Sequence, residues 1–146
     1  MPRIHHIGLT VGDTAAAITF YSALTAGEVI GPLEKRGPAV EAAVGYPGVV
    51  ILQTFLTLPD GDAVIELVEY RGGSGARIVP DNGSAGSAHV AITVDDMDAA
   101  LARVTSLGYR AMSTPMTATA GPLDGWGYVY VIGPDDVRVE LLEPPR

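Results

Sequence analysis

Four side chains stand out, both for their chemistry and because they recur in pairs. Residues 6–13 read HIGLTVGD and residues 89–96 read HVAITVDD, so that His6 and His89 each open an alternating apolar run that ends in an aspartate. Residues 65–69 read IELVE and residues 139–143 read VELLE, with Glu66 and Glu140 in matching places. Repeated modules carry inward-facing side chains to equivalent positions, so His6, Glu66, His89 and Glu140 are expected to converge. Two imidazoles and two carboxylates suit a divalent ion. In an octahedral complex they leave two positions free, which two neighbouring oxygens of a substrate could fill. A metal held this way polarises a carbonyl and stabilises the negative charge that develops when the adjacent carbon loses a proton. A glutamate at or beside the metal can move that proton.

The elements that must position these groups follow from periodicity. In the first copy Ile7, Leu9 and Val11 alternate with His6, Gly8 and Thr10; in the second, Val90, Ile92 and Val94 alternate with His89, Ala91 and Thr93. Both runs read as half-buried strands with the histidine opposite the large apolar residues. Glu66 lies between Ile65 and Leu67, and Glu140 between Val139 and Leu141. If the flanking residues face the core, both glutamates face the other side of the sheet. A carboxylate removed from water needs a cation or metal there. The same alternation puts His5 on the face away from His6, as a strand-edge residue. Glu69 and Glu143, at strand ends, are expected to be solvated. Tyr128 and Tyr130 share a face beside the Glu140 strand and, with Gln53, Phe55 and Trp126, are the candidate substrate-pocket residues.

The rest of the chain divides along the same lines. A strand over 3–11, a helix capped by Asp13 or Thr14 and ended by Gly27, a short strand over 28–35 and a mostly looped stretch over 36–48 come first. A strand over 49–57, a turn at 58–62 (LPDGD) and a strand over 62–70 close the first module, residues 1–71. Residues 72–87 are a Gly- and Ser-rich linker. The second module, residues 88–146, repeats the order: strand 88–94, a helix capped by Asp95 or Asp96 and ended by Gly108, strand 109–112, a Gly/Pro-rich loop over 114–127, strand 128–132, turn 133–136 and strand 137–143. Each half is βαβββ, an α+β arrangement in which two halves share one cavity and the helices cover the outside.

Composition narrows the function. The chain has 146 residues, no cysteine, and a net charge of −8 from 9 basic and 17 acidic residues. Without cysteine there are no disulfides or thiolate ligands, and His and carboxylate are the metal donors. The negative charge, with no compensating basic cluster, argues against nucleic acid as a partner. No apolar run is long enough to span a bilayer, which argues against a membrane partner, and the N-terminus lacks a signal-peptide pattern, so a cytoplasmic protein is expected.

The order of elements and the paired motifs resemble the vicinal oxygen chelate superfamily, which includes glyoxalase I, methylmalonyl-CoA epimerase, extradiol dioxygenases, and fosfomycin- and bleomycin-resistance proteins. The resemblance covers nearly the whole chain as a single domain. It implies two βαβββ modules forming a U-shaped mixed sheet around one divalent metal ion per chain (Ni, Co, Mn, Zn or Fe(II)), with His6, Glu66, His89 and Glu140 as ligands. It also implies a homodimer acting on a small-molecule substrate. In glyoxalase-like enzymes a metal-bound glutamate moves the proton, which points to Glu140 or Glu66 as catalytic. Methylmalonyl-CoA epimerases tend to have glutamine where Glu66 stands, and an extra glutamate in the loop that here reads AVGYPG, with Glu41 the nearest acid. The expected activity is therefore that of a metal-dependent lyase or isomerase of glyoxalase/epimerase type. The alternatives are a small-molecule binding or resistance protein on the same fold and a single-domain extradiol-type dioxygenase.

Overall fold

The structure, a computed structural model, describes residues 2–59, 63–73 and 75–146. The chain forms two compact units, Met1–Arg77 and Ile78–Arg146, whose boundary lies inside the expected linker. The expected turn at 58–62 falls partly on residues 60–62, outside the described residues. The hairpin around it is present, with Leu58 N–H donating to Ala63 O at 3.1 Å.

The first unit contains β1 (Ile7–Thr10), α1 (Thr14–Thr25), β2 (Glu28–Arg36), α2 (Pro38–Val44), β3 (Val50–Thr57) and β4 (Val64–Arg71). Its sheet runs β1-β4-β3-β2, with β1 parallel to β4 and the other pairs antiparallel. Helix α1 forms because Asp13 caps it, accepting from Ala16 N–H at 3.0 Å, and because Ala17, Phe20, Tyr21 and Leu24 make one buried stripe. That stripe packs with Leu56, Ile65 and Leu67 in the core.

The second unit contains β5 (Val90–Thr93), α3 (Met97–Ser106), β6 (Arg110–Ala111), β7 (Met116–Thr117), β8 (Gly127–Ile132) and β9 (Arg138–Glu143). Its sheet runs β5-β9-β8-β6, and β7 pairs with β8. The parallel pair is again the first strand with the last, Val90 opposite Val139 and Ile92 opposite Leu141. Asp96 caps α3, accepting from Ala99 N–H at 2.8 Å, and Met97, Ala100 and Val104 face the core. Each module is therefore a small mixed sheet with its main helix on one face, the expected α+β class.

Three local expectations are corrected. The stretch 36–48 is not mostly loop: Pro38–Val44 is helical, with proline in the first turn and Gly45 as a left-handed C-cap. The flanking Gly and Pro that suggested a loop are helix punctuation. Gly27 does not end α1 by its own dihedral freedom. Ala26 takes the left-handed cap (φ 49°), while a Cβ on Gly27 would lie 2.2 Å from the Thr57 carbonyl oxygen. Strand β1 begins at Ile7, so the alternation that set His5 apart from His6 does not extend to those residues. Their rings meet edge to face, with Nδ1 atoms 2.9 Å apart.

Candidate functional site

Ile65, Leu67, Val139 and Leu141 are all buried in the core. Because side chains alternate along a strand, Glu66 and Glu140 project from the opposite faces of their sheets. In the first unit His6 Nε2 lies 3.2 Å from Glu66 Oε2; in the second, His89 Nε2 lies 3.3 Å from Glu140 Oε2. The carboxylate side chains are only 13% and 16% exposed, while the imidazoles are 38% and 42% exposed. Each pair thus sits at a rim, with the carboxylate largely withdrawn from water and the imidazole open to a ligand.

The strand next to each glutamate supplies further members. Phe55 is directly opposite Glu66 in the β3–β4 register, and Tyr130 is directly opposite Glu140 in the β8–β9 register. Each ring meets the histidine of its own unit edge-on, with centroids 6.3 Å apart for His6–Phe55 and 5.2 Å for His89–Tyr130. Two residues earlier on the same strands, and on the same faces, stand Gln53 and Tyr128. Gln53 Nε2 donates to Glu66 Oε1, while its own Oε1 is buried without a hydrogen-bond partner. Tyr130 Oη lies 3.4 Å from His89 Nε2. Burial and the neighbouring Glu140 carboxylate push the Tyr130 phenol above its ordinary value, so it stays a neutral donor. Gly8, opposite Glu66, leaves space that a Cβ would narrow to 3.3 Å from Glu66 Oε2; Ala91 takes the equivalent place opposite Glu140.

The donor chemistry fits a divalent ion. Two ligands at right angles, each about 2.1 Å from a metal, have donor atoms about 3 Å apart. The two Nε2–Oε2 separations are close to that. Among the described residues, neither unit gathers three or more His, Asp or Glu side chains into a metal-binding group. Each supplies one imidazole–carboxylate pair.

Trp126, Tyr128 and Glu140 line a cleft of about 470 Å³ in the second unit, together with Thr117, Thr119, Leu123 and Leu142. The floor is the Glu140 face of β8 and β9. The wall is the segment 117–126, within the expected Gly/Pro-rich loop. It is closed on itself, with Gly125 N–H donating to Ala118 O at 2.8 Å and Ala118 N–H to Trp126 O at 2.9 Å. Its threonines carry no periodic signal, and the short strand β7 falls inside the stretch expected to be loop.

Glu69 and Glu143 correct the expectation of solvation. Glu69 accepts from Thr14 and Arg71, and Glu143 accepts from Met97 N–H at 3.3 Å. Both carboxylates serve the first turn of the helix in their own module. They share the core face of their strands with Leu67 and Leu141, and that face leads to the helix N-terminus.

Comparison with known proteins agrees with this architecture. A curated 2-epi-5-epi-valiolone epimerase from Actinomyces sp is 28% identical over 145 residues, covering 97% of this chain and 79% of that protein. The uncharacterised YwbC of Bacillus subtilis (strain 168) is 27% identical over 142 residues, covering 97% of each. Among solved structures, a glyoxalase family protein from Bacillus cereus superposes with TM-score 0.85 at 18% identity, covering 100% of this chain and 96% of that one. The fosfomycin resistance protein FosX from Listeria monocytogenes, solved with Mn(II) and sulfate, superposes with TM-score 0.60 at 16% identity, covering 98% and 93%. The sequence pattern of the Glyoxalase/Bleomycin resistance protein/Dioxygenase superfamily matches residues 3–141, and the chain belongs to that superfamily.

Proposed function

We propose that this chain is a metal-dependent enzyme of glyoxalase/epimerase type, which moves a proton on a carbon next to a carbonyl in a small oxygenated substrate. The observation that carries the reading is the repeated imidazole–carboxylate pair, His6 with Glu66 and His89 with Glu140, at nearly equal separations in the two modules. The epimerase from Actinomyces sp supports it from the sequence side.

In this reading His6, Glu66, His89 and Glu140 hold one divalent ion, with Ni, Co, Mn, Zn or Fe(II) as candidates. When bound, it supplies Lewis-acid polarisation of the substrate carbonyl. Glu140 is the base. It takes the proton from the carbon beside the carbonyl while the C–H electron pair moves towards the carbonyl oxygen. Return of the proton by Glu140 to the neighbouring carbon isomerises the substrate; inversion instead takes a proton delivered from solvent to the opposite face, with Glu140 releasing its own to solvent. Tyr130, a neutral hydroxyl beside His89 and Glu140, orients both. Gln53 holds Glu66 in one orientation, which suits a ligand better than a base. Trp126 and Tyr128 border the substrate. The family likeness to resistance proteins supports a second reading, a binding protein on the same fold. Two carboxylates largely withdrawn from water, each beside an open imidazole, fit the enzyme better.

We further propose a homodimer. Strand β2 is an exposed edge carrying Val29, Ile30 and Leu33, a surface that pairing of copies would cover. Light scattering at micromolar concentration tests it, and a monomer refutes it.

The function is tested by metal analysis of protein purified without chelators, followed by proton NMR in deuterated water with α-hydroxy ketones, hemithioacetals and acyl-CoA esters. Loss of a substrate C–H signal that depends on protein and on metal is the expected result. Protein that binds a ligand but exchanges no hydrogen supports the binding reading instead.

A further inference from the structure

The Glu140 face of the second sheet carries two cations that the mechanism above does not use. In the β8–β9 register Ile132 is opposite Arg138, and in the β6–β8 register Arg110 is opposite Ile132. Residues directly opposite each other share a face of the sheet. Arg138 lies two residues before Glu140 on β9, so Arg110, Ile132 and Arg138 form one row on the Glu140 face. The next row along the strands holds Tyr130 and Glu140, and the one after it holds Tyr128 and Leu142 of the cleft. Glu140 therefore stands between the cleft and two arginines, which are distant in sequence and brought together only through β8.

These two side chains differ from other basic residues of the chain. Arg36, Arg71 and Arg146 each pair with a glutamate. Arg110 is exposed, and its side chain has no ion pair or hydrogen bond among the described residues. Arg138 is half-buried. Its Nη1 donates to the Asp136 carbonyl at 2.7 Å, which orients the guanidinium, while its Nε is withdrawn from water without a hydrogen-bond partner. Desolvating part of a guanidinium is unfavourable unless an anion compensates it. Neighbouring strands lie about 4.8 Å apart, so Arg110 and Arg138 flank Ile132 with their backbones about 10 Å from each other. An oxyanion above Ile132 is within reach of both. The first module has no counterpart: the matching row, two residues before Glu66 and across β3, is Val64, Thr57 and Glu28. The two repeats match at the histidines and glutamates and part company at this row.

We propose that Arg110 and Arg138 form an oxyanion subsite: the substrate carries a carboxylate or a phosphate, bound over Ile132 while its carbonyl end reaches Glu140. The proposal rests on the reading above in taking Glu140 as the reacting end, and it adds the charge of the substrate and its direction along the sheet. In that reading two carboxylates cancel the charge of the divalent ion, so the arginines decide the net sign of this face. Two residues of strand, about 7 Å, separate Arg138 from Glu140, which places the anionic group a few bonds from the reacting carbon.

The test compares matched probes that differ in one anionic group: dihydroxyacetone phosphate with dihydroxyacetone, and 4-oxopentanoate with 2-pentanone. Affinities are measured by ligand-detected NMR on the protein as purified, without any need for turnover. At least one anionic probe is expected to bind about tenfold more tightly than its neutral counterpart, the scale of a charge-assisted contact. Which one does so tells whether the subsite takes phosphate or carboxylate. Arg110→Gln and Arg138→Gln are each expected to reduce that advantage, and the double variant to abolish it. Equal affinities within both pairs for the unaltered protein overturn the proposal. So does an advantage that survives in the double variant, which would put the anion on the metal or elsewhere. Arg110 is exposed, so if Arg138→Gln fails to fold by circular dichroism, Arg110→Gln decides alone, and an undiminished advantage in it overturns the proposal. Protein-dependent exchange of the dihydroxyacetone hydrogens for deuterium is followed separately. Anion preference without exchange leaves the subsite standing and removes the proton-transfer reading; exchange without anion preference does the reverse.

Discussion

The Glu69 carboxylate accepts two hydrogen bonds from Thr14, one from the backbone N–H at 2.9 Å and one from the hydroxyl at 2.6 Å. Thr14 opens α1 and Glu69 lies near the end of β4, so one carboxylate ties the helix start to the sheet. In the second module Glu143 of β9 repeats the contact with Met97 at the start of α3. A negative charge at a helix N-terminus also meets the positive end of the helix dipole. The repeat therefore extends from the candidate ligands to the contacts that dock the helices.

Glu69 should make stability depend on acid. Burial of its carboxyl opposes ionisation, but the hydrogen bonds from Arg71 and Thr14 outweigh it and hold the group below its ordinary value of 4.5. A carboxyl whose folded value is depressed stabilises the fold above the unfolded value, and that contribution is lost as pH falls through the folded value. Urea midpoints should therefore fall below about pH 4.5 in the unaltered protein and less steeply in Glu69→Gln. At neutral pH Glu69→Gln should cost about 1.5–3 kcal/mol, the scale of hydrogen bonds to a charged group. Equal pH slopes for the two proteins would contradict this account.

Gly27→Ala tests the close approach of α1 to the end of β3. A Cβ there would lie 2.2 Å from the Thr57 carbonyl oxygen, so the backbone must move. Destabilisation of about 1–3 kcal/mol, the range for overpacking, is expected as a lower thermal midpoint by circular dichroism. An unchanged midpoint would show that the connection yields freely.

Metal affinity should separate the direct donors from their supports. His6→Ala and His89→Ala should each weaken binding of a divalent ion, measured by calorimetry, by more than Gln53→Ala does. Gln53→Ala removes a hydrogen bond to Glu66 and should cost about 10–100-fold, as outer-shell partners do. His5→Ala removes the Nδ1 contact to His6 and should likewise cost less than loss of either histidine ligand. Equal losses in all four variants would refute the assignment.

Glu140→Gln should leave the fold and most of the metal affinity intact. Glutamine keeps the shape and a coordinating oxygen but cannot accept the proton. Exchange of the substrate hydrogen should fall by about 10²–10⁴-fold, the usual contribution of a general base. Glu66→Gln is the comparison, with a smaller loss expected. Full exchange by Glu140→Gln would move the base to Glu66 or Glu41.

Much of this was legible in the sequence because it is local and periodic. The matching HIGLTVGD and HVAITVDD segments marked the two modules, and Asp13 and Asp96 marked the helix starts. Alternation around Glu66 and Glu140 determined which way they point, since a residue between two core-facing neighbours on a strand has only the other face. Tertiary structure decided what depends on distant segments meeting. Glu69 looked solvated because nothing nearby in sequence shows that Thr14, 55 positions away, brings its N–H and hydroxyl there. Gly27 looked like a helix terminator because the Thr57 carbonyl that crowds it belongs to another strand. In the loop over 114–127 only Trp126 stood out in the sequence; pairing of β7 with β8 makes the segment 117–126 the wall of a cleft beside Glu140. Periodicity specifies the face a side chain takes within its own element; what waits on that face is settled only when separate elements pack.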